Sequence, residues 1–461
     1  MSITRTLAVH VVGTRFEDLP AAAVRATKNH ILYTTGTILA GAHSPGIAQL
    51  LAAIEQFGEG RQSSVLVHGK KLPAASAALV NAAMAHSREL DINDDRIAYK
   101  SSVAVVPAAW AMAQKLGSVS GKEFITAVCV GIDLGIRLGL AIQPKPAHAR
   151  FIALGPIAAA AACARLMKLD AAATHDALGI AYCRSTVSGN SLTSPSLTKR
   201  LGAGLASQSG IVAATFAQAG FPATTEIFAG PEGFFQTFYQ QEGDHATLLA
   251  GLGRHFEIVS VGPKPFPCCR YTHAGVCAAL ALRARHKLQA GDISEVRVHV
   301  GERDLRMVWG AGEEERRRRA APQGVVDAQF SIPYTIAAAL VRGGLTLDEF
   351  TPESFVAPDI LELAGRIHPV AAPEFDIWAA DVRPQLVELV LRDGRVVRER
   401  VDHPRGSPEN PFTDAEVEQS VRVMAVHART VGAGAVETFI ESMRNLETCA
   451  SVAGVIEGFG T

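Results

Sequence analysis

The chain has 461 residues, 48% of them hydrophobic and 19% charged, with 44 Lys and Arg against 45 Asp and Glu. That apolar content supports large buried cores and excludes a disordered chain, and the length exceeds what one core usually holds, so two domains are expected. A formal net charge of −1 leaves no global basic field to hold DNA or RNA.

The N-terminal stretch lacks the long apolar segment of a signal peptide. The seven Cys are odd in number and show neither disulfide-scaffold nor zinc-ribbon spacing, which fits a reduced, cytoplasmic setting. From there to about residue 260 the periodicity is helical, and no strong strand pattern appears. Ser120 and Glu123 form a capping box that opens a helix over 124–142. Asp133 and Arg137 within it, spaced i,i+4, mark a buried core helix and not a membrane span. Residues 154–169 are Ala-rich and apolar on nearly every face, so that helix is buried all round. Asp170 is the N-cap of a helix over 171–181, and a helix over 198–219 ends at Gly220.

Near Gly262 the character changes. Val296, Val298 and Val300 alternate with Arg297 and His299, the pattern of a half-buried strand. Residues 386–391 and 396–401 flank Asp393-Gly394, a hairpin signal. Helices are expected over 331–341 and 351–364, and the run at 313–319 reads as a solvated charged loop. A second capping box, Thr413 with Glu416, reopens the helical pattern. The predicted fold is mainly α: a large all-helical domain, 1–264 plus 404–461, with an inserted smaller α+β, lid-like domain, 265–403. The functional site is expected at their junction. No G-x-G-x-x-G follows a strand and no P-loop motif occurs, so a nucleotide cofactor has no support.

Three segments place polar residues where the local pattern is otherwise apolar or small. The first runs from Asn81 through His86, Arg88, Glu89, Asp91, Asn93, Asp94, Asp95 and Arg96 to Lys100. So dense a group of acids raises some carboxyl pKa values and suits a general acid or base; it could also hold a hard metal, or be a polar loop of caps and ion pairs. The second places Lys199 and Arg200 at the start of a small-residue helix. Cations oppose the positive potential there, so an anionic ligand would resolve the conflict, unless both side chains turn to water. The third is Lys264-Pro265-Phe266-Pro267-Cys268-Cys269-Arg270-Tyr271-Thr272-His273 before an apolar helix. Thr272 is the natural N-cap, and a His in the first turn is favoured as neutral imidazole, able to act as base or donor; the segment also reads as a capped interdomain linker.

Together these segments resemble the MmgE/PrpD family, which includes 2-methylcitrate dehydratase, cis-aconitate decarboxylase and iminodisuccinate epimerase. The family's N-G-x-x-x-H…D-x-D-D and H-P-S-x-x-V-x-P-A are matched by Asn81, His86 and Asp91-Ile92-Asn93-Asp94-Asp95, then by 100–108. Its t-K-R-L-H-x-G is matched from Thr198, its K-P-Y-P-C-C-R-Y-T-H by Lys264 to His273, and its d-A-x-F-S-x-P-Y by Asp327 to Tyr334. Three positions depart: the His of H-P-S is Lys100, the His after t-K-R-L is Gly202, and the F-H-x-T segment is not preserved, with only His148 and Arg150 nearby. The resemblance implies a homodimer, an interdomain cleft, and Asp91, Lys199 and His273 in the active site.

On this reading the protein is a cofactor-independent acid–base enzyme acting beside a carboxylate of a small di- or tricarboxylate, without metal, nucleic acid or membrane. Asp91, Lys100, Lys199 and His273 are the expected catalytic residues. His86, Arg200, Lys264, Arg270 and Tyr271 are expected to bind substrate. Lys in place of His at 100 keeps a cation and adds a base if burial depresses its pKa. The expected reaction is a 2-methylcitrate-dehydratase-like elimination. Iminodisuccinate-type epimerisation is the alternative, followed by cis-aconitate-type decarboxylation or a non-catalytic carboxylate-binding relative.

Overall fold

The structure is a computed structural model that describes residues 2–142, 150–186 and 196–459, with only the backbone of 150 and 151. His148 therefore lies outside the described residues, as does the Arg150 side chain. The fold is mainly α, 58% helical with 8% strand.

The first hydrophobic core is built from helices Ala21–Gly41, Ala74–His86, Val105–Leu116, Gly121–Leu140, Arg150–Leu166 and Thr198–Gln218. Local chemistry sets their ends. The Ser120 hydroxyl accepts from the Glu123 N–H while the Glu123 carboxylate accepts from the Ser120 N–H, closing the expected box. Asp170 accepts from the N–H groups of Ala172 and Ala173, and Gly220 takes φ +84° beyond the Thr198–Gln218 helix. Arg137 and Asp133 pair at 2.7 Å, both buried. The Thr198–Gln218 helix lies against Ala74–His86 and Arg150–Leu166. A Cβ at Gly204 would stand 2.6 Å from the Leu79 carbonyl oxygen, so that approach requires glycine. The close packing brings the start of this helix beside the end of Ala74–His86.

Helices Asp414–Val426 and Ala433–Arg444 also belong to the first core, the former packing along Ala21–Gly41. Thr413 and Glu416 close the second capping box.

The second core lies under a four-stranded sheet ordered β4-β3-β5-β6, where β3 is Ile293–Val300, β4 Ile367–Ala371, β5 Gln385–Leu391 and β6 Val396–Val401. β5 and β6 form the expected hairpin, with Gly394 at φ +87°. β4 pairs in parallel with β3. Helices His273–His286 and Ile332–Arg342 supply the other layer.

Four local expectations are corrected. A short hairpin, β1 Ser63–Val65 and β2 Lys70–Leu72, sits in the half read as strand-free; three-residue strands are too short to show alternation. The charged run is helix Glu313–Ala320, not a loop: its acids sit in the first turn and its arginines in the last, as the helix dipole favours, and Arg319 is buried. The single helix expected over 351–364 is two, Pro352–Phe355 and Pro358–Ala364, because Pro358 forces Ala357 into extended backbone. Thr272 does not cap with its side chain; the hydroxyl donates back to the Cys269 carbonyl at 2.9 Å. Among the described residues no helix is long and apolar enough to cross a membrane.

Candidate active site

The loop after Ala74–His86 is folded back on itself. Asp94 and Tyr99 pair through their backbones, and the Asn93 N–H donates to the Gly262 carbonyl at 3.1 Å. Gly262 in turn lies against Gly406, whose carbonyl oxygen would stand 2.2 Å from a Cβ at 262. These ties bring 86–100 to the approach segment 262–273, and the Thr198 helix start closes the third side.

His86 and Asp91 form a buried pair, Nδ1 to Oδ1 at 2.7 Å. An ionised carboxylate only accepts, so Nδ1 carries the proton and Nε2 is the basic nitrogen. Burial lowers the His86 pKa, partly offset by Asp91, and the ring is neutral near neutral pH. Burial also works against the Asp91 carboxylate, but His86 and Lys264 outweigh it and lower its pKa. Lys264 Nζ lies 3.5 Å from Asp91 Oδ2 and 3.3 Å from Glu89 Oε2.

Glu89 stands among the acids of the first segment, but sequence reasoning gives it no role in the site. It accepts from both Lys199 and Lys264. Burial opposes its charge, yet Lys199, then Lys264, holds its pKa well below the usual carboxylate value. Lys199 sits in the first turn of its helix. The anion that resolves the charge conflict there is an internal carboxylate. The available signal was charge counting: the acid-rich 81–100 segment holds carboxylates that can serve Lys199 in place of an external anion.

Lys100 is half-buried, and its ammonium donates to Asn93 Oδ1 at 2.7 Å. No carboxylate lies within ion-pair distance of it among the described residues. Burial, then Lys264 and Lys199, pull its pKa down to about 8.

Arg270 grips Asp95 with two hydrogen bonds, at 2.9 and 2.6 Å, and donates to the Arg405 carbonyl at 2.8 Å. It also donates to His273 Nδ1 at 3.2 Å, while His273 Nε2–H points to the Cys268 carbonyl at 3.3 Å. Both ring nitrogens are thus engaged, and burial with the nearby Arg270 charge keeps the ring neutral. Arg270→Ala would leave the Asp95 carboxylate buried and unpaired. Urea denaturation of that variant is expected to show a loss of about 3–5 kcal/mol.

Two expected substrate contacts are directed elsewhere. The Arg200 guanidinium donates to the Pro45 carbonyl at 3.3 Å and lines a separate cavity of about 250 Å³ with Leu50, Ala83 and Leu201. Tyr271 faces Arg303 and Asp381 on the second core. Asp91, Asp94 and Asp95 face different partners: His86, Arg96 and Arg270. Among the described residues no three His, Cys, Asp or Glu side chains converge as metal ligands do.

The arrangement is a buried His86–Asp91 pair in one cluster with Glu89, Lys199, Lys264 and Lys100. The model of the MmgE/PrpD N-terminal domain matches residues 5–246, and that of the MmgE/PrpD C-terminal domain matches 266–448. The chain belongs to the MmgE/PrpD family. The cis-aconitate decarboxylase-like protein oryM of Aspergillus oryzae is 25% identical over 476 residues, covering 99% of this chain and 96% of that protein. Cis-aconitate decarboxylase of Aspergillus terreus is 26% identical over 430 residues, 89% of this chain and 86% of that one. The Mus musculus enzyme of that name is 25% identical, with 99% and 94% covered. Both MmgE/PrpD departures that lie in described parts of the chain have physical consequences. At 202, even a Cβ would stand 2.9 Å from Ile152 Cδ1, so an imidazole there would require Ile152 to move. At 100, the MmgE/PrpD imidazole is exchanged for an ammonium.

Proposed function

We infer that this MmgE/PrpD protein is a cofactor-independent lyase that eliminates water beside a carboxylate of a small di- or tricarboxylate. The observation that carries this reading is a buried, Asp91-supported His86, neutral near neutral pH, in the same cluster as Lys100, an ammonium whose pKa is about 8 and which feels the same Asp91 charge. In the proposed step His86 Nε2 takes the proton from the carbon next to a carboxylate. The C–O bond on the neighbouring carbon breaks, and the leaving hydroxide takes a proton from Lys100 and departs as water. The C=C bond forms from the C–H electron pair, and solvent returns the two groups to their starting protonation. Lys199 and Lys264 steady the carboxylate as negative charge develops on it.

A second reading, decarboxylation, is favoured by the names of the relatives. It needs only the proton donor: a carboxyl leaves as carbon dioxide and Lys100 protonates the carbon it left. The test is a substrate panel of citrate-like, methylcitrate-like and cis-aconitate-like acids. Elimination is read as new enoate absorbance, decarboxylation as released carbon dioxide, and epimerisation as exchange of the α-hydrogen in heavy water without either. No turnover or exchange with any of them would sink the lyase reading.

The rate should follow a bell in pH. Activity needs Lys100 protonated and is lost as pH rises through about 8. It needs His86 neutral and is lost as pH falls through its lowered pKa.

A homodimer in the cytoplasm completes the reading. Leu205 and Phe216 are exposed on the Thr198–Gln218 helix and give a second copy an apolar face to cover. The seven cysteines are free thiols. Light scattering on the purified protein reads the oligomeric state.

A further inference from the structure

Glu89 holds an unusual position for a glutamate. Its backbone has φ +54°, in the left-handed region that residues with a Cβ rarely adopt. That turn aims a buried carboxylate inward, with one oxygen on Lys199 and the other 3.3 Å from Lys264. The two lysines converge from different parts of the molecule: Lys199 from a helix of the first core, Lys264 from the segment leading into the second. A carboxylate that offers one oxygen to each of two converging ammonium groups is already in the position a bound substrate carboxylate would take.

The charge count gives this position a consequence. Lys100, Lys199 and Lys264 carry three positive charges, and Glu89 and Asp91 two negative ones, while Arg270 and Asp95 neutralise each other. With Glu89 in place, Lys100 is left for an incoming anion, and so is Arg200, which feels the Glu89 charge from its own cavity.

We propose that Glu89 is an internal stand-in for a substrate carboxylate, seated between Lys199 and Lys264 and displaced on binding, so that it selects for substrates with at least two carboxylates. A monocarboxylate can neutralise Lys100 but has nothing with which to replace Glu89. A di- or tricarboxylate does both, one group at Lys100 and another between Lys199 and Lys264. An internal competitor lowers apparent affinity by the fraction of time the seat is taken, and it lowers it most for ligands that must use that seat.

The inference rests on the reading of the cluster as a carboxylate site, and its test does not require turnover. Binding of tricarballylate, a tricarboxylate with no hydroxyl to eliminate, is measured by calorimetry in the wild type and in Glu89→Gln. Glu89→Gln keeps the shape and removes the charge, and it is expected to bind tricarballylate at least about tenfold tighter. Glu89→Ala opens the seat; its Tm should fall in anion-free buffer and rise with acetate by clearly more than the wild-type Tm, where acetate can neutralise Lys100 but finds the seat taken. Tricarballylate binding that is unchanged or weaker in Glu89→Gln would overturn the proposal and make Glu89 a fixed counter-ion. So would a Glu89→Ala protein whose Tm rises with acetate no more than that of the wild type. Acetate recovery in Glu89→Ala together with a wild type that binds no tricarballylate would uphold the seat and instead remove tricarboxylates from the substrate class.

Discussion

Lys100→Arg is expected to lower kcat by about 10²–10⁴-fold while KM changes little, because general acid–base groups contribute on that scale. Both side chains are cationic, so a carboxylate still finds a charge at position 100. Arginine keeps its proton at any pH the protein survives and cannot hand it to a leaving group. Lysine can, because burial and the neighbouring Lys264 and Lys199 have brought its pKa to about 8. Near pH 7 it is mostly protonated, the state an acid needs, and within about a unit of release. Lys100→His restores a group that titrates in the right range and should recover part of the loss. A Lys100→Arg enzyme with near-wild-type kcat would exclude the proton-transfer role.

The same shift makes a stability statement. A lysine whose folded pKa lies below its ordinary 10.5 binds its proton less tightly in the folded than in the unfolded state. The penalty is fully present below pH 8 and is relieved as pH rises from about 8 towards 10.5. Lys100→Met should therefore be inactive yet more stable at neutral pH, by about 1–2 kcal/mol once solvent screening of a half-buried group is allowed for. Stability held in reserve against function is a common feature of sites of this kind.

The gross architecture was legible because it is written in long, repeated signals. The capping boxes at Ser120 and Thr413 are two-residue statements with one physical meaning each, and both close as read. The alternation at Val296, Val298 and Val300 could come only from a sheet with one buried face, and those three valines are fully buried. Short elements were not legible. β4 contains Pro369 and has a mostly exposed burial pattern, so nothing in its composition marks a strand; the pairing with β3 makes it one. The site was legible as a set of segments but not as a set of contacts. Local reasoning placed Lys199 at a helix start in need of an anion, and the anion proved to be Glu89, 110 residues away. His273 was read as a first-turn imidazole free to act. Arg270, three residues before it, holds Nδ1, and the Cys268 carbonyl, five before it, takes Nε2–H. Both partners sit in the same motif, but only the turn at 270–272 brings them onto the ring.

Asp91→Asn is expected to lower kcat by about 10²–10⁴-fold and to move the acid limb of the pH–rate profile to lower pH. The Asp91 carboxylate does two things for His86. It accepts the Nδ1 proton, which fixes the basic lone pair on Nε2, and its charge opposes the loss of basicity that burial imposes on the ring. An asparagine amide can present its NH₂ group to Nδ1 as readily as its oxygen, so the wrong tautomer becomes accessible and Nε2 is no longer reliably the base. Loss of the Asp91 charge leaves only the Glu89 carboxylate to offset burial and the Lys199 charge, so the His86 pKa falls further. Below the wild-type acid limb, the variant therefore retains a larger fraction of its own reduced maximum than wild type does. A residue that merely held the loop in place would lower activity at every pH in the same proportion and leave the limb where it was. The pH profile of kcat/KM thus separates the two roles even where the absolute loss does not. An unshifted acid limb would assign the base to a different group in the cluster.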